Sequence, residues 1–295
     1  MSRMIIFLIT KAKIYFRIAR INNPIGFLLF LYPILWTFWL LTKGTPDLGI
    51  LLIFIFGTFS VRSAGCTIND LLDKKFDGLV KRTKNRPFPK KEIKEKEALI
   101  IFFLFSSISV FLAFQLSYAS IMLASVSMIL TIVYPLVKRF NHFPQIVLGI
   151  STGLSIPMIF LEINNSFFCT ECLNLFLVNI VWTVIYDTQY AMVDKKYDLK
   201  IGLKSTAIFF SNFNQRAICF LQILMIIMLI YLGFQKNLKS VYFLGLFLVV
   251  LVFIYQYKII CNHQPESYIK AFLSNGLVGC ILFLGILLNY IDYNR

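Results

Sequence analysis

Charged residues are scarce in this sequence: they make up 15% of its 295 residues, whereas 58% are hydrophobic and 16% are aromatic. The mean hydropathy is +0.76. So little charge excludes ordinary soluble domains and is typical of an integral membrane protein. Because no soluble domain remains to carry a nucleic-acid-binding fold, the net charge of +15 is weak evidence for such a partner, and we expect none.

Cysteine and histidine are too few and too scattered to predict a zinc site. Of the six cysteines only Cys169 and Cys172 form a CxxC pair, without a second pair or a nearby histidine. The pair is therefore either a coincidence of spacing or an optional disulfide on the extracytoplasmic side. His142 and His263 are isolated, which favours surface or interfacial positions over catalysis.

The amino-terminal segment does not have the pattern of a cleavable signal sequence. Residues 1–22 contain basic positions and a short apolar run, but a small-residue cleavage site is missing. The run is too short to span a bilayer, so we expect an interfacial amphipathic helix over residues 1–22. A long leader rich in arginine and serine is also not seen, which favours a bacterial inner membrane over a mitochondrial one.

Nine apolar segments are long enough, at about 20 residues each, to cross a membrane as helices. They fall near residues 23–42, 48–68, 97–115, 119–137, 144–161, 172–192, 215–234, 240–257 and 271–291. We therefore predict an all-α integral membrane protein, a bundle of nine transmembrane helices that forms a single domain over residues 1–295.

The basic residues predict the orientation of this bundle. With a cytoplasmic amino terminus, 24 of the 29 lysine and arginine residues lie on the cytoplasmic side, as the positive-inside rule requires. The same charges attract anionic membrane lipid. No obligatory protein partner is predicted.

Two predicted cytoplasmic loops are rich in aspartate. They contain Asp70, Asp73 and Asp77 within residues 69–96, and Asp187, Asp194 and Asp198 within residues 186–206. At helical spacing each trio shares one face, within arcs of about 60 and 40 degrees. Carboxylates so close together repel one another and demand a cation or raised pKa values. An oxygen-only set suits Mg²⁺, whose shell is completed by water and substrate phosphates.

Basic residues follow each acidic set and would neutralise phosphate oxygens. We expect Arg82 and Arg86 to bind substrate in this way, and Lys204 after the second set. The positive-inside distribution alone also explains most of these charges. Aspartates at a membrane boundary can likewise be merely solvated, but two matched sets on the same predicted side favour a functional site.

A transporter or ion channel is the main alternative, because paired repeats and acidic residues at membrane depth also suit coupling ions. Transporter carboxylates tend to lie in the middle of a span, between broken helices. The carboxylates here lie at the cytoplasmic ends of predicted spans, beside basic residues. Their placement therefore favours a phosphorylated substrate.

Two motifs carry a resemblance to a known family. NDLLDKKFD, residues 69–77, is similar to the NDxxDxxxD motif of the UbiA superfamily of membrane prenyltransferases, and DKKYD, residues 194–198, is similar to its second motif. The similarity covers most of the chain, and YDTQYAMVD resembles the 4-hydroxybenzoate polyprenyltransferase branch. Branches that prenylate haem, menaquinone or chlorophyll precursors remain alternatives for the acceptor.

The resemblance implies a reaction and a metal. The reaction is Mg²⁺-dependent transfer of a polyprenyl group from polyprenyl diphosphate to C3 of 4-hydroxybenzoate, in ubiquinone biosynthesis, at the cytoplasmic face of the membrane. One magnesium–diphosphate contact would use Asn69, Asp70, Asp73 and Asp77, and the other Asp194 and Asp198. Asp73 and Asp194 are the members of these sets that we expect to be essential for catalysis.

The acceptor would meet two further residues. Arg139, in YPLVKRF, corresponds to a family arginine proposed to bind the carboxylate of the aromatic acid. Asp187 is expected to orient the phenol or to accept the ring proton, a task that the released diphosphate can also perform. The alternative for Asp187 is a structural role as a hydrogen-bond acceptor. The chain departs from the family where Asn22 or Asn23 replaces a frequent aspartate, which puts a charge at that position in doubt.

Overall fold

The computed structural model describes residues 2–80 and 82–291, so residues 1, 81 and 292–295 of the predicted domain lie outside it. All regular secondary structure in the described part is helical, and it contains no strand. The α-helices are α1 (Ser2–Ile18), α2 (Ile25–Leu41), α3 (Leu48–Leu72), α4 (Glu95–Ala113), α5 (Tyr118–Val137), α6 (Pro144–Gly153), α7 (Ser155–Asn164), α8 (Thr170–Lys200), α9 (Thr206–Phe209), α10 (Asn214–Gln235), α11 (Ser240–Ile260) and α12 (Pro265–Ile291).

The protein is an integral membrane protein with seven helical stretches that are long and apolar enough to cross a bilayer, counted over the described residues. These stretches are α3, α4, α5, the pair α6 and α7, α10, α11 and α12, and each coincides with a predicted span. The other two predicted spans correspond to α2 and α8. Helix α2 is apolar but has only 17 residues, about 25 Å, and α8 has 31 residues with many polar ones. The count of nine spans therefore stays a prediction.

Large apolar side chains cover the outside of the bundle, as contact with lipid requires. On α4, Phe103 is 60% exposed and Phe111 is 69% exposed, whereas Ala98 and Phe102 on the opposite side are buried. A soluble protein rarely exposes so much contiguous apolar surface. Burial inside this bundle therefore depends on packing and polar contacts between helices more than on exclusion of water.

Helix α8 occupies the centre and packs against α2, α6, α7, α9, α10 and α12. Trp182 on α8 lies against Trp36 on α2 with 5.0 Å between ring centroids. Helix α6 approaches closely because it presents glycine: a Cβ atom at Gly149 would lie 3.0 Å from the Cα of Ile180. Asn179 uses this close approach to donate a hydrogen bond of 2.9 Å to the carbonyl of Gly149.

The predicted span 144–161 is two helices, α6 and α7, that meet at Leu154. Pro157 explains the break, because it has no N–H to donate to the carbonyl of Gly153 and its ring crowds that turn. Ser155 instead donates its hydroxyl to the carbonyl of Thr152 at 2.8 Å.

The acidic segments differ from the predicted pair of loops. Helix α3 ends at Leu72, so Asp73 is its C-terminal cap and Asp77 begins a short 3-10 turn. The prediction of one continuous helix face through Asp77 was therefore wrong. The second predicted loop, 186–206, was also wrong over most of its length, because α8 continues to Lys200 and keeps all three of its aspartates helical.

Helix α1 is shorter than the predicted 1–22 and is tied to the segment around α4. Glu97 accepts hydrogen bonds from Lys11 at 2.7 Å and from the hydroxyl of Tyr15 at 3.0 Å. Ile5 and Ile6 remain exposed. This combination of a polar face against the protein and free apolar side chains agrees with an interfacial helix, which stays a prediction.

Candidate active site

The first acidic motif is held together by arginine. Asp70, in the last turn of α3, is fully buried and accepts a hydrogen bond of 2.8 Å from Nη2 of Arg20. Nη1 of Arg86 lies 3.1 Å from Asp70 and 2.9 Å from Asp77. Burial lowers the pKa of Arg86, but the charges of Asp70 and Asp77 outweigh burial and leave that pKa raised. One guanidinium thus connects the first and last aspartates of the motif.

Asp73 has one carboxylate oxygen that accepts no hydrogen bond within the described chain. Its Oδ2 pairs with the ammonium of Lys138, and its Oδ1 is buried without a hydrogen-bond partner. Burial raises the pKa of Asp73, while Lys138 opposes that shift. A buried oxygen without a partner costs free energy, so this position favours a ligand that can contact Oδ1.

Arg82 connects the second acidic motif to the first. It lies in the segment after Asp77, yet its Nε donates to Asp194 of α8 at 2.9 Å. Its Nη1 donates to the hydroxyl of Tyr190, and its Cζ lies 4.4 Å from the centroid of that ring. The two motifs, far apart in the chain, are therefore parts of one cluster.

Asp198 completes this cluster at the last turn of α8, beyond the apolar part of the helix. It is half-buried. Burial, and then the charge of Asp194, raise the pKa of Asp198 to about 6, while Lys138 and Arg82 lower it. Lys138 lowers the pKa of both Asp73 and Asp198, so its charge acts on both acidic sets.

A cavity of about 620 Å³ opens next to this cluster. Most of its wall is apolar, and helices α2 to α8 all contribute to it. Its polar lining residues include Arg20, Asn23, Arg62, Asn69, Arg86 and Asp187. Tyr134, Tyr186 and Tyr190 add aromatic hydroxyls to the same side. A volume with a long apolar wall and a few converging polar groups is typical of a site for an amphiphilic ligand.

Of the predicted site residues, Asn69, Arg86 and Asp187 line this cavity. Asp70 and Asp77 lie one contact behind it, because both pair with the lining residue Arg86. Asp194 pairs with Arg82, which bonds to the cavity residue Tyr190. Asp73, which pairs with Lys138, and Asp198 are not part of the lining. Asp187 accepts a hydrogen bond of 3.4 Å from the Tyr134 hydroxyl. Within the described chain it has no ion-pair partner.

Two predicted substrate-binding residues make backbone contacts outside the cavity lining. Arg139 is exposed, donates to the carbonyl of Leu72 at 3.0 Å and lies over the ring of Phe76 at 5.5 Å. Lys204 donates to the carbonyl of Phe140 at 3.0 Å. These contacts fasten the segments around the acidic cluster, and the predicted substrate contacts of both residues stay predictions.

Sequence reasoning missed Arg62, a cavity residue on α3. Its guanidinium donates weakly to the carbonyls of Arg20, at 3.5 Å, and Asn23, at 3.4 Å. No carboxylate pairs with it among residues 2–80 and 82–291. A signal was present, because a lone arginine inside an apolar span is a functional candidate by default. Arg20 and Lys138 were missed as well, since their charges resemble ordinary positive-inside residues.

The donor chemistry of the cluster fits a divalent cation. Its oxygens come from aspartate carboxylates and the amide of Asn69, which suit Mg²⁺, and the unsatisfied Oδ1 of Asp73 is a free ligand atom. In the described part of the chain no three carboxylates, thiols or imidazoles converge closely enough to chelate an ion by themselves. Arginine and lysine now separate the carboxylates, so a cation would compete with these basic groups.

The fold and the site define a class of protein, an all-helical membrane protein whose two aspartate motifs meet beside an apolar cavity. A model of the UbiA prenyltransferase family matches residues 30–285. The chain belongs to the UbiA prenyltransferase family.

Curated relatives match almost the whole chain. The 4-hydroxybenzoate octaprenyltransferase of Providencia stuartii is 46% identical over 96% of this chain and 98% of its own length. The enzyme of the same name from Sodalis glossinidius is 47% identical over 94% of this chain and 95% of its own length. That from Escherichia fergusonii is 42% identical, with coverages of 95% and 96%.

Solved structures have the same fold. The apo structure of a UbiA homolog from Aeropyrum pernix K1 has a TM-score of 0.77 at 21% identity, over 90% of this chain and 98% of that one. A UbiA homolog from Archaeoglobus fulgidus bound to GPP and Mg²⁺ has a TM-score of 0.68 at 19% identity, over 94% of this chain and 99% of that one. At such low identities the likeness shows the fold alone.

Proposed function

We propose that this protein transfers a polyprenyl group from polyprenyl diphosphate to C3 of 4-hydroxybenzoate, a step of ubiquinone biosynthesis, with Mg²⁺ as cofactor. The observation that carries the proposal is the contact of Arg82 with Asp194, which joins the two acidic motifs beside an apolar cavity. The relatives support the acceptor, and their name, 4-hydroxybenzoate octaprenyltransferase, makes an octaprenyl donor the first to test.

The metal ligands in this proposal are Asn69, Asp70, Asp73 and Asp77 on one side and Asp194 and Asp198 on the other. Bound Mg²⁺ supplies Lewis-acid stabilisation of the leaving diphosphate. The basic groups that now pair with the aspartates, above all Arg82 and Arg86, then bind diphosphate oxygens. Each cation keeps an anionic partner, so the exchange does not leave a buried charge unpaired.

Prenyl transfer breaks the C1–O bond of the donor, and both bonding electrons leave with the diphosphate. The positive charge that develops on the allylic carbon is quenched by water, so a water-poor site is required. The apolar cavity wall meets this requirement, and the aromatic faces of Tyr186, Tyr190 and Phe272 favour the developing cation.

The ring carbon next to the phenolic oxygen then bonds to the allylic carbon and loses its proton to restore aromaticity. Asp187 lines the cavity without a cationic partner in the described residues, so it orients the phenol or takes this proton. The carboxylate of the acceptor needs a cation, for which the resemblance offers Arg139. Arg62 is a second candidate, because it lines the cavity.

The proposed membrane arrangement has nine spans, with α2 and α8 added to the seven apolar stretches. A 17-residue helix is within the range that crosses a bilayer, and the polar residues of α8 are buried among other helices. The excess of basic residues around the site supports the cytoplasmic face, and the membrane in this proposal is a bacterial inner membrane. Residues 1–22 then lie along the same face, in the lipid interface. Lys204, whose backbone N–H donates to the carbonyl of Lys138 at 2.8 Å, would bind diphosphate there.

A transfer assay tests the proposal. Membranes that contain the protein, supplied with Mg²⁺, octaprenyl diphosphate and labelled 4-hydroxybenzoate, should form a lipid-extractable prenylated acid. Asp73→Ala and Asp194→Ala should abolish the product. Asp47→Asn is the matched control, because Asp47 caps the distant start of α3. Full activity of either Ala variant would refute the assignment of that aspartate as a metal ligand. Product formation with another aromatic acceptor, and none with 4-hydroxybenzoate, would assign the protein to a different acceptor branch of the family.

A further inference from the structure

A buried hydrogen-bond network joins four helices directly behind the cavity. Gln189 on α8 donates to Gln256 on α11 at 2.9 Å and accepts from Asn275 on α12 at 2.7 Å. Asn275 in turn accepts from the indole N–H of Trp182, on α8, at 3.2 Å. Gln222 on α10 donates to the same oxygen of Gln256 at 2.7 Å. Within the described chain no buried polar atom of these five side chains lacks a partner.

Helix α8 therefore has two opposed polar faces. Asp187, Tyr190 and Asp194 fall within about 60 degrees on one face, and they meet the cavity or Arg82. Trp182 and Gln189 lie about 150 degrees from Asp187 around the helix. Both are fully buried, and their hydrogen bonds run to α11 and α12. One face carries the proposed chemistry, and the other is attached to the rest of the bundle.

The hydrogen bonds of Trp182 and Gln189 to α11 and α12 allow only one rotation of α8 about its own axis. A shift of one residue along the helix turns the face by about 100 degrees and would separate Gln189 and Trp182 from Asn275. No water is at hand in an apolar interior to replace the lost partners, so the broken amides would stay unsatisfied. Apolar side chains alone define a rotation less strictly, because several settings bury them almost equally well.

We infer that Gln189 and Asn275 are positioning residues, which hold the rotation of α8 so that Asp187 and Tyr190 face the cavity and Asp194 meets Arg82. Neither residue lines the cavity itself, so they act through the helix. The catalytic consequence rests on the proposed function, whereas the structural consequence does not. If α8 loses this setting, Arg82 loses both of its α8 partners and the segment around it opens more often.

Two measurements on the full-length protein in lipid nanodiscs test the inference. The first is cleavage after Arg82 by an arginine-specific protease, followed by mass spectrometry. Asp194→Asn removes the negative charge that holds Arg82. It therefore gives the reference cleavage rate for a chain in which the segment around Arg82 is no longer held to α8. Gln189→Leu should reach a similar rate, several-fold above wild type. Gln222→Leu is the matched control, because it removes a buried amide of the same network whose hydrogen bond runs to α11 and not to α8, and it should cleave as wild type does.

The second measurement is kinetic, at a temperature where all variants are folded. Gln189→Leu should lower kcat and raise KM for 4-hydroxybenzoate, with kcat/KM reduced about tenfold or more, whereas Gln222→Leu should stay within about twofold of wild type. Asn275→Ala cuts both links from α12 without altering α8, and it replaces Gln189→Leu if that variant does not fold.

The outcomes separate the two proposals. If wild type transfers no prenyl group, the proposed function fails, and the cleavage rates alone then decide the inference. Equal cleavage after Arg82 in Gln189→Leu, Asn275→Ala and Gln222→Leu would overturn it. Equal kinetic losses in Gln189→Leu and Gln222→Leu would do the same, since they would reflect a general loss of packing.

Discussion

The side chain of Arg82 donates hydrogen bonds to the carboxylate of Asp194, although 112 residues separate them. Each residue comes from the region of a different acidic motif. Each would be costly to bury as an unpaired charge. Their pairing neutralises both and brings the two motifs to one place. The same guanidinium also donates a hydrogen bond to the hydroxyl of the cavity residue Tyr190. If a metal cation binds the carboxylate of Asp194, Arg82 is therefore placed to bind a phosphate group in its stead.

Replacement of Arg82 should therefore impair use of the diphosphate substrate. Charge-assisted hydrogen bonds contribute about 1.5–3 kcal/mol, so Arg82→Ala should lower kcat/KM for the polyprenyl donor about 10- to 100-fold. Arg82→Lys should recover part of the loss, because lysine keeps the charge but cannot form the forked contact. Initial rates at varied donor concentration measure the effect.

Lys84→Ala is the control for Arg82, since Lys84 is exposed in the same segment. It should retain wild-type kinetics. If Arg82→Ala and Lys84→Ala have the same kcat/KM for the donor, Arg82 has no part in binding the diphosphate.

Asp73 should determine how much Mg²⁺ the enzyme needs. Its unsatisfied Oδ1 is the ligand atom that a cation reaches without displacing a basic group. Asp73→Asn keeps an oxygen but loses the charge, so the half-saturating Mg²⁺ concentration should rise about tenfold or more, equivalent to about 1.4 kcal/mol, and excess Mg²⁺ should restore part of the rate. Rates over a magnesium titration measure this, with Asp47→Asn as the control. An unchanged half-saturation in Asp73→Asn would argue that its carboxylate does not bind the ion.

The sequence predicted the helical membrane class, the position of most spans and the acidic residues, because hydrophobic runs and short-range motifs are local properties. It did not predict where helices end around the motifs. Asp73 and Asp77 continue the helical spacing of α3, yet the helix stops at Leu72, since the segment that follows turns back to bring Arg86 onto Asp70 and Asp77. That turn depends on long-range ion pairs, which spacing does not encode.

The partners of the charged residues were also beyond the sequence. In the sequence, the adjacent Lys138 and Arg139 have the pattern of two positive-inside residues. In the structure, Lys138 forms an ion pair with Asp73, whereas Arg139 donates to the carbonyl of Leu72 at the end of α3. Two adjacent cations thus have different roles, because the end of α5 turns one towards the acidic cluster and leaves the other exposed. Only the packing of α5 against α3 distinguishes them.

Arg62 should recognise the carboxylate of the acceptor. It lines the cavity and has no carboxylate partner in the described chain, so Arg62→Met should raise KM for 4-hydroxybenzoate about tenfold or more, a loss typical of a charged hydrogen bond. The KM for neutral 4-hydroxybenzamide should change little. Competition between acid and amide in one assay measures the lost preference directly.

Arg139→Met is the comparison variant for Arg62→Met, because the family resemblance gives that residue the same task. If Arg139→Met loses the preference for acid over amide and Arg62→Met keeps it, the acceptor lies with its carboxylate towards the end of α5 and not in the cavity beside α3.

Gly57 should control how well the cavity accepts a long prenyl chain. It lies in the middle of α3 on the cavity wall, and a Cβ added there would meet no atom within 4 Å. Gly57→Ala should therefore keep its activity. Its free energy of unfolding should equal that of wild type or exceed it by up to about 1 kcal/mol, because alanine has the higher helix propensity. Gly57→Phe fills the space without a clash at the Cβ, so it should lower kcat/KM for octaprenyl diphosphate far more than for geranyl diphosphate, whose short chain need not pass residue 57. Thermal unfolding separates a folding defect from a blocked cavity, and equal losses with both donors in a stably folded Gly57→Phe would mean that the prenyl chain takes another route.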